Sequence, residues 1–285
     1  MLSLPKRVVV GYQGTDGAYS KIAAERHFAN RCEELVCVGH NSFAELLHAV
    51  LSGQVDFGMQ PIENTTAGSI NEAYDLLARL DLHLVGEEVL KVEHCLAALP
   101  GTRLDEIRRV YSHPQALLQS SAFLDQLKHA QVHAFTDTAM AMKKVRDEGS
   151  REQAAVAGEH AAALYGLEVL ARDIANQSNN FTRFVVAARQ PAEFPLGVAC
   201  KTSLILTTRH EKGALVRCLS VLAEHGLSLT KIESRPRPNT PWEYIFYIDF
   251  EGNLSDPNVA KAVESVREST LSLRVLGSYP SRTRG

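Results

Sequence analysis

Asn176-Gln177-Ser178-Asn179-Asn180-Phe181-Thr182-Arg183-Phe184-Val185-Val186-Ala187-Ala188 is a polar run that turns abruptly apolar. Amides and a hydroxyl give way to aromatic, β-branched and small residues, which reads as a loop entering a strand. At the junction a hydroxyl, Thr182, and a fixed cation, Arg183, sit between the rings of Phe181 and Phe184. A guanidinium among apolar neighbours suits a carboxylate, because its fork offers parallel donors that an ammonium lacks. The plainer reading is an edge-strand arginine paired with a nearby aspartate.

Upstream of this stretch one pattern recurs: strand, polar or glycine-rich turn, helix. Val8 to Tyr12 leads into Gly14-Thr15-Asp16-Gly17-Ala18-Tyr19-Ser20 and a helical run to Phe28. Val55 to Met59 leads into Pro61-Ile62-Glu63-Asn64-Thr65-Thr66-Ala67-Gly68-Ser69 and a helix from Ile70 to Leu80. Val110-Tyr111 leads into Ser112-His113-Pro114-Gln115 and a helix expected to reach Leu127, with Pro114 suited to its first position. Val132 to Phe135 leads into Thr136-Asp137-Thr138-Ala139 and a further helix. In α/β sheets such turns lie at the carboxyl ends of strands, where ligands bind. Neither GxGxxG nor GxxxxGK[ST] is present at Gly14, so a carboxylate fits that turn better than a phosphate. Two such lobes, with residues 179–184 returning between them, form a cleft of hydroxyls, amides and helix starts. Glu63 reads as a loop-fixing acceptor, with a base as the alternative. His113 beside its proline reads as a structural hydrogen-bonder, with a ligand or proton donor as the alternative.

A chain of 285 residues with 45% hydrophobic and 22% charged residues has room for more than one globular core. A net charge of −3 and no basic run interleaved with aromatics speak against nucleic acid. No apolar stretch approaches membrane-spanning length. Lys6-Arg7 runs directly into Val8-Val9-Val10 with no targeting segment, which makes the cytoplasm the expected compartment. The five cysteines show no ligand-like spacing and read as reduced thiols, with neither a metal nor a cofactor expected.

Beyond Ala199 the periodicity changes. Residues 190–199, with Pro191 and Pro195, read as a linker. Strand, helix, strand, strand, helix, strand then follow over 200–280, the βαββαβ ferredoxin-like plan. That unit is too small and too poor in converging polar groups to be catalytic, so it reads as regulatory or dimerising.

Taken together, these segments resemble prephenate dehydratases and the related arogenate dehydratases over nearly the whole chain. The likeness rests on residues 14–20, 61–65 with Gly68-Ser69, 112–116 and 137–139, and on Thr182-Arg183-Phe184. In the C-terminal part Gly213-Ala214-Leu215 and residues 229–236 are similar to the ACT regulatory domain. Ala18, Thr65 and Lys212 depart from the commoner threonine, serine and proline of that family.

The resemblance implies an α/β fold: a two-lobed, periplasmic-binding-protein-like catalytic domain over 6–189, crossing between lobes near 80 and 180, then the ACT domain. It implies a carbon–oxygen lyase that turns prephenate into phenylpyruvate without a cofactor. Thr182, Arg183 and Phe184 are the expected catalytic residues: the hydroxyl assists the leaving group, the guanidinium holds a carboxylate, and the rings exclude water. Ala18, Tyr19, Ser20, Asn64, Thr65, Ser112, His113, Gln115, Thr138 and Asn180 are expected around the substrate. Phenylalanine is the implied inhibitor, near Gly213, Ala214, Leu215, Glu233, Ser234, Arg235 and Pro236, at a subunit interface of a homodimer or homotetramer. The alternatives are an arogenate dehydratase and a non-catalytic amino-acid-sensing protein.

Overall fold

The computed structural model describes residues 4–209, 211–237, 240 and 243–282. The first lobe contains β1 (Arg7–Gln13), α1 (Tyr19–Phe28), β2 (Glu34–His40), α2 (Phe43–Ser52), β3 (Phe57–Asn64), β4 (Gly68–Ser69), α3 (Asn71–Arg79) and β5 (His83–Lys91). The chain then crosses into β6 (Cys95–Ala98), β7 (Arg109–Ser112), α4 (Pro114–Gln119), α5 (Ser121–Leu124), β8 (Gln131–Ala134), α6 (Thr138–Glu148), β9 (Gln153–Ala157), α7 (Glu159–Leu164) and β10 (Glu168–Ala171). It returns to the first lobe as β11 (Phe181–Ala188).

The two lobes share one plan. The first sheet runs β2-β1-β3-β11-β5 and the second β10-β6-β9-β7-β8. In each, parallel strands are followed by one strand, β11 or β6, that runs antiparallel to both neighbours. β2 and α7 went unread in the sequence. β2 is a half-exposed edge strand whose apolar run, Leu35-Val36-Cys37-Val38, does not alternate, and α7 is under two turns long.

Local chemistry sets the helix ends. Ser42 accepts from the Glu45 N–H at 3.1 Å to start α2, and Gly53, at φ 80°, ends it. Asp137 accepts from Ala139 and Met140 to start α6. The helix expected from Pro114 to Leu127 is broken at Ser120 into α4 and α5. Asn176 causes the break: its side chain donates to Leu118 O and the Ser121 hydroxyl and accepts from Ala122 N, in place of the helical ladder.

The C-terminal unit is β12 (Cys200–Thr207), α8 (Ala214–Glu224), β13 (Leu229–Pro236), β14 (Tyr244–Glu251), α9 (Pro257–Glu268) and β15 (Ser272–Pro280). Its sheet, β13-β14-β12-β15, covers α8 and α9 on one face through Leu204, Leu206, Ile248 and Phe250. The other face lies on the first lobe. There Ile205, Tyr247, Leu276 and Tyr279 join Tyr74, Leu77, Leu82 and Leu84 in one buried cluster. The expected linker is fixed as well: Phe194 is buried, and Asn253 donates to Pro195 O at 2.9 Å. Residues 210, 238, 239, 241 and 242 of the expected regulatory stretch lie outside the described residues. Among the described residues no helix is long and apolar enough to cross a membrane.

Candidate active site

Asn64 ends β3 and Thr182 is the second residue of β11, and the two stand opposite each other on the ladder. The Asn64 side chain has one orientation, because main-chain groups dictate it. Its Oδ1 accepts from Thr66 N at 3.0 Å and Ala67 N at 2.9 Å, and its Nδ2 donates to Phe181 O at 3.2 Å. Thr182 Oγ1 at 3.0 Å and Asn180 Oδ1 at 2.7 Å also lie within reach of Nδ2, so three acceptors share its two protons. Thr182 Oγ1 is therefore an acceptor toward Asn64, and its own proton points elsewhere. A hydroxyl that accepts one hydrogen bond is a better donor in the next.

The orientation propagates across the lobes. With Oδ1 of Asn180 accepting, its Nδ2 donates to Gln119 Oε1 at 3.0 Å. Gln119 Nε2 reaches back to Thr66 Oγ1 at 2.5 Å. His94 Nε2, 2.9 Å from the same Gln119 oxygen, must then be the protonated ring nitrogen. Burial pushes the His94 pKa down, so the imidazole is neutral. Gln119, Thr66 and His94 were not among the residues singled out in the sequence. For Gln119 a signal existed: it lies four residues after Gln115 on α4, hence on the same face. For His94 there was none.

The remaining expected residues divide clearly. Thr65 Oγ1 donates to Asn179 O at 2.8 Å and accepts from Phe181 N at 2.9 Å, pinning the loop that carries Asn180. Tyr19 OH donates to Glu93 O at 2.6 Å and meets His160 edge-on. Ala18 and Ser20 are buried at the start of α1, whose N-terminus no side chain caps. Thr138 is the first residue of α6. His113 caps α4 by accepting from Gln115 N at 3.2 Å, the structural role.

Three expectations are corrected. The Arg183 guanidinium does not face the cleft: it donates to Glu87 at 2.8 Å, to Asp249 at 2.6 Å and to Tyr279 OH at 2.9 Å. Side chains alternate across a strand, so Thr182 and Arg183 leave β11 on opposite sides. Burial alone would lower the Arg183 pKa, but Tyr279, Asp249 and Glu87 outweigh it and hold the guanidinium fully charged. Phe184 is 1% exposed and packs with Met59, Val85 and Leu90 against α1, so it belongs to the core. Ser112 is fully buried and donates to Val156 O across the second sheet.

The C-terminal residues are also placed. Gly213, at φ 76°, precedes α8, which carries Ala214 and Leu215 in its first turn. Glu233 accepts from the Ser69 hydroxyl at 2.5 Å, and Arg235 pairs with Asp75 at 2.9 Å, both on the first lobe. Ser234 and Pro236 lie on the opposite, exposed face of β13.

A groove of about 560 Å³ opens between the starts of α1 and α7 and the strands that link the lobes. Tyr19, Lys91, Glu93, His94 and His160 line it, together with Leu90, the ladder partner of Thr182. Its size suits a small organic ligand. Among the described residues no cluster of His, Cys, Asp and Glu is arranged to hold a metal ion.

Fold and site together define a two-lobed α/β unit with a hydroxyl and oriented amides between the lobes, joined to a ferredoxin-like C-terminal unit. The family model described as prephenate dehydratase matches residues 10–192, and the ACT domain model matches 202–268. The chain belongs to the prephenate dehydratase family. It is 42% identical over 277 residues to the bifunctional chorismate mutase/prephenate dehydratase of Escherichia coli (strain K12), covering 97% of this chain and 72% of that one. It is also 42% identical to the chloroplastic arogenate dehydratase/prephenate dehydratase 2 of Arabidopsis thaliana, covering 97% of this chain and 74% of that one. Prephenate dehydratase from Arthrobacter aurescens, solved with L-Phe, superposes with a TM-score of 0.87 at 28% identity, over 96% of this chain and 90% of that one. A protein described as GqqA, a novel type of quorum quenching acylase, gives 0.86 at 33% identity, over 96% and 98%.

Proposed function

We propose that this chain is a prephenate dehydratase, a carbon–oxygen lyase of phenylalanine biosynthesis that converts prephenate to phenylpyruvate, carbon dioxide and water. The observation that carries this reading is the Asn64–Thr182 hydrogen bond, which commits Thr182 Oγ1 as acceptor and leaves its proton for the departing hydroxyl. As the ring carboxylate leaves, the electron pair of its C–C bond enters the ring, and the C–O bond to the ring hydroxyl breaks. Negative charge grows on that oxygen, and a hydrogen bond from Thr182 strengthens with it, which lowers the barrier rather than merely binding substrate. The water formed takes its proton from solvent through this contact. The uncapped N-terminus of α1, between the lobes, supports binding of a carboxylate of the dianion.

Were Thr182 the nucleophile of an acylase, it would need a general base beside it. Its hydrogen-bonded partner is instead an amide donor, which cannot take a proton. The arogenate reading differs by an amino group in place of a keto group, and the Arabidopsis relative carries both names.

The proposal includes a catalytic unit over 6–189, a linker over 190–199 and a regulatory unit over 200–280. Phenylalanine is its effector, bound near Gly213 and residues 233–236. The exposed face of the edge strand β13, with Ile232 46% exposed, supports self-association into a dimer or tetramer. Five free thiols support a reducing compartment, the cytoplasm. Purified protein incubated with prephenate should form phenylpyruvate, and with arogenate much less phenylalanine. No product from prephenate would end the proposal, and faster turnover of arogenate would replace it with the second reading.

A further inference from the structure

On the ladder between β3 and β11, Thr182 stands opposite Asn64, and the next pair is Arg183 opposite Glu63. Strand alternation sends the two pairs to opposite sides of the sheet. The first forms the hydrogen-bonded centre of the site. The second faces the ACT sheet: Arg183 reaches Asp249 and Tyr279 there, and Glu63 holds Lys231 at 3.1 Å. Lys201, from β12, donates to Glu87 at 2.9 Å beside the Arg183 contact. Most of these side chains are almost dry: Glu87 and Tyr279 are fully buried, Lys231 is 8%, Asp249 9%, Arg183 11% and Lys201 12% exposed.

Such a cluster is a poor way to gain stability, since apolar residues of the same volume do as well or better. What it supplies is geometry. All three nitrogens of the Arg183 fork are occupied, two of them by the ACT sheet, so the backbone at Arg183 cannot slide against β14 or β15 without breaking them. The charges are matched only on docking. Arg183, Glu87 and Glu63 bring one positive and two negative charges, while Lys201, Lys231 and Asp249 bring two positive and one negative. A second tie runs through the loop that follows Asn64. Ser69 donates to Glu233 at 2.5 Å and accepts from Lys231 at 2.8 Å.

We propose that Arg183 is a positioning residue that fixes β11 to the ACT domain, so that the placement of the ACT sheet sets the geometry of the Asn64–Thr182 pair. This rests on Thr182 being the leaving-group donor. A ligand on β13 that shifts Asp249 then acts on Thr182 through its neighbour Arg183. One that draws Glu233 from Ser69 acts on Asn64 through the β3–β4 ladder, where Ser69 pairs with Glu63. The two-state element is the docking of one sheet on the other.

The test uses the full chain with Asp249→Asn and Tyr279→Phe, neither of which lies in the cleft. Both should lower kcat on prephenate by on the order of 10-fold to 100-fold, as a misplacement of about 1 Å does. KM should stay within about twofold, because the groups proposed to bind substrate are untouched. The response to phenylalanine should weaken in both. Hydrogen–deuterium exchange reads the same coupling without turnover: Asp249→Asn should speed exchange over 181–184 and 64–69. If Asp249→Asn unfolds the chain, the apolar pair Arg183→Met with Asp249→Leu replaces it. In that cycle the double variant should be no slower than the worse single variant. Wild-type kcat with unchanged exchange in folded variants, or independent multiplying effects in the cycle, would overturn the coupling. Faster exchange in a protein that leaves prephenate untouched would instead remove the dehydratase reading and leave the tie between the domains standing.

Discussion

Asn64 owes its orientation to the N–H groups of Thr66 and Ala67 and the carbonyl of Phe181, which leaves Thr182 one direction for its proton. Thr182→Ala should therefore keep the fold and lose turnover on the order of 100-fold or more, the usual cost of one transition-state donor. Thr182→Ser, which keeps the hydroxyl, should recover most of it, and equal loss in both variants would place the effect in packing. Asn64→Asp keeps the acceptor that the two main-chain N–H groups need but deletes the donor to Thr182. It also sets a negative charge beside a dianion. Steady-state kinetics should show kcat falling and KM rising together, and an unchanged KM would put the substrate carboxylates away from Asn64.

At the scale of elements, two features recur: strand alternation, and close approach of the C-terminal sheet. β15 crosses β5 so closely that a Cβ at Gly277 would overlap the Leu84 carbonyl oxygen. Main chain on both sides leaves no flexible side chain to give way. Gly277→Ala should cost about 1–3 kcal/mol by overpacking. Thermal unfolding read against wild type checks this, and an unshifted midpoint would mean that the sheets separate freely. The split of α4 from α5 follows from another contact between distant segments, since Asn176 replaces ladder bonds at Leu118 and Ala122.

For the whole molecule, buried neutral histidines make stability depend on pH. His27 and His94 are 6% and 3% exposed, and burial lowers both pKa values in the folded chain. His27 accepts from Arg31 and faces Glu88, while His94 donates to Gln119. The unfolded chain takes up protons near pH 6.5 that the folded imidazoles refuse. Stability is thus fully present above that pH and lost as the pH falls below it. Denaturant unfolding at pH 7.5 and 5.5 should differ by up to about 1.4 kcal/mol per histidine. His94→Gln should shrink the difference, and a difference that stays the same in that variant would assign the effect elsewhere.

Much of this protein is local in origin, and so the sequence alone determined it. The succession of strand, polar turn and helix, the caps at Ser42 and Asp137, the proline at the start of α4 and the βαββαβ order all depend on residues a few positions apart. The same local patterning set Asn64, Thr65, Asn180 and Thr182 at or beside the ends of β3 and β11, where the ladder brings them together. What lay beyond the sequence depended on contacts between distant segments. Arg183, one residue from Thr182, is turned by strand alternation toward a sheet whose residues come more than sixty positions later. Gln119 and His94 enter the site only because the lobes close on each other, and Ser112 leaves it because Val156 O lies across the sheet. A side chain's chemistry is written in its type, but its partner is chosen by the packing of elements far apart in the chain.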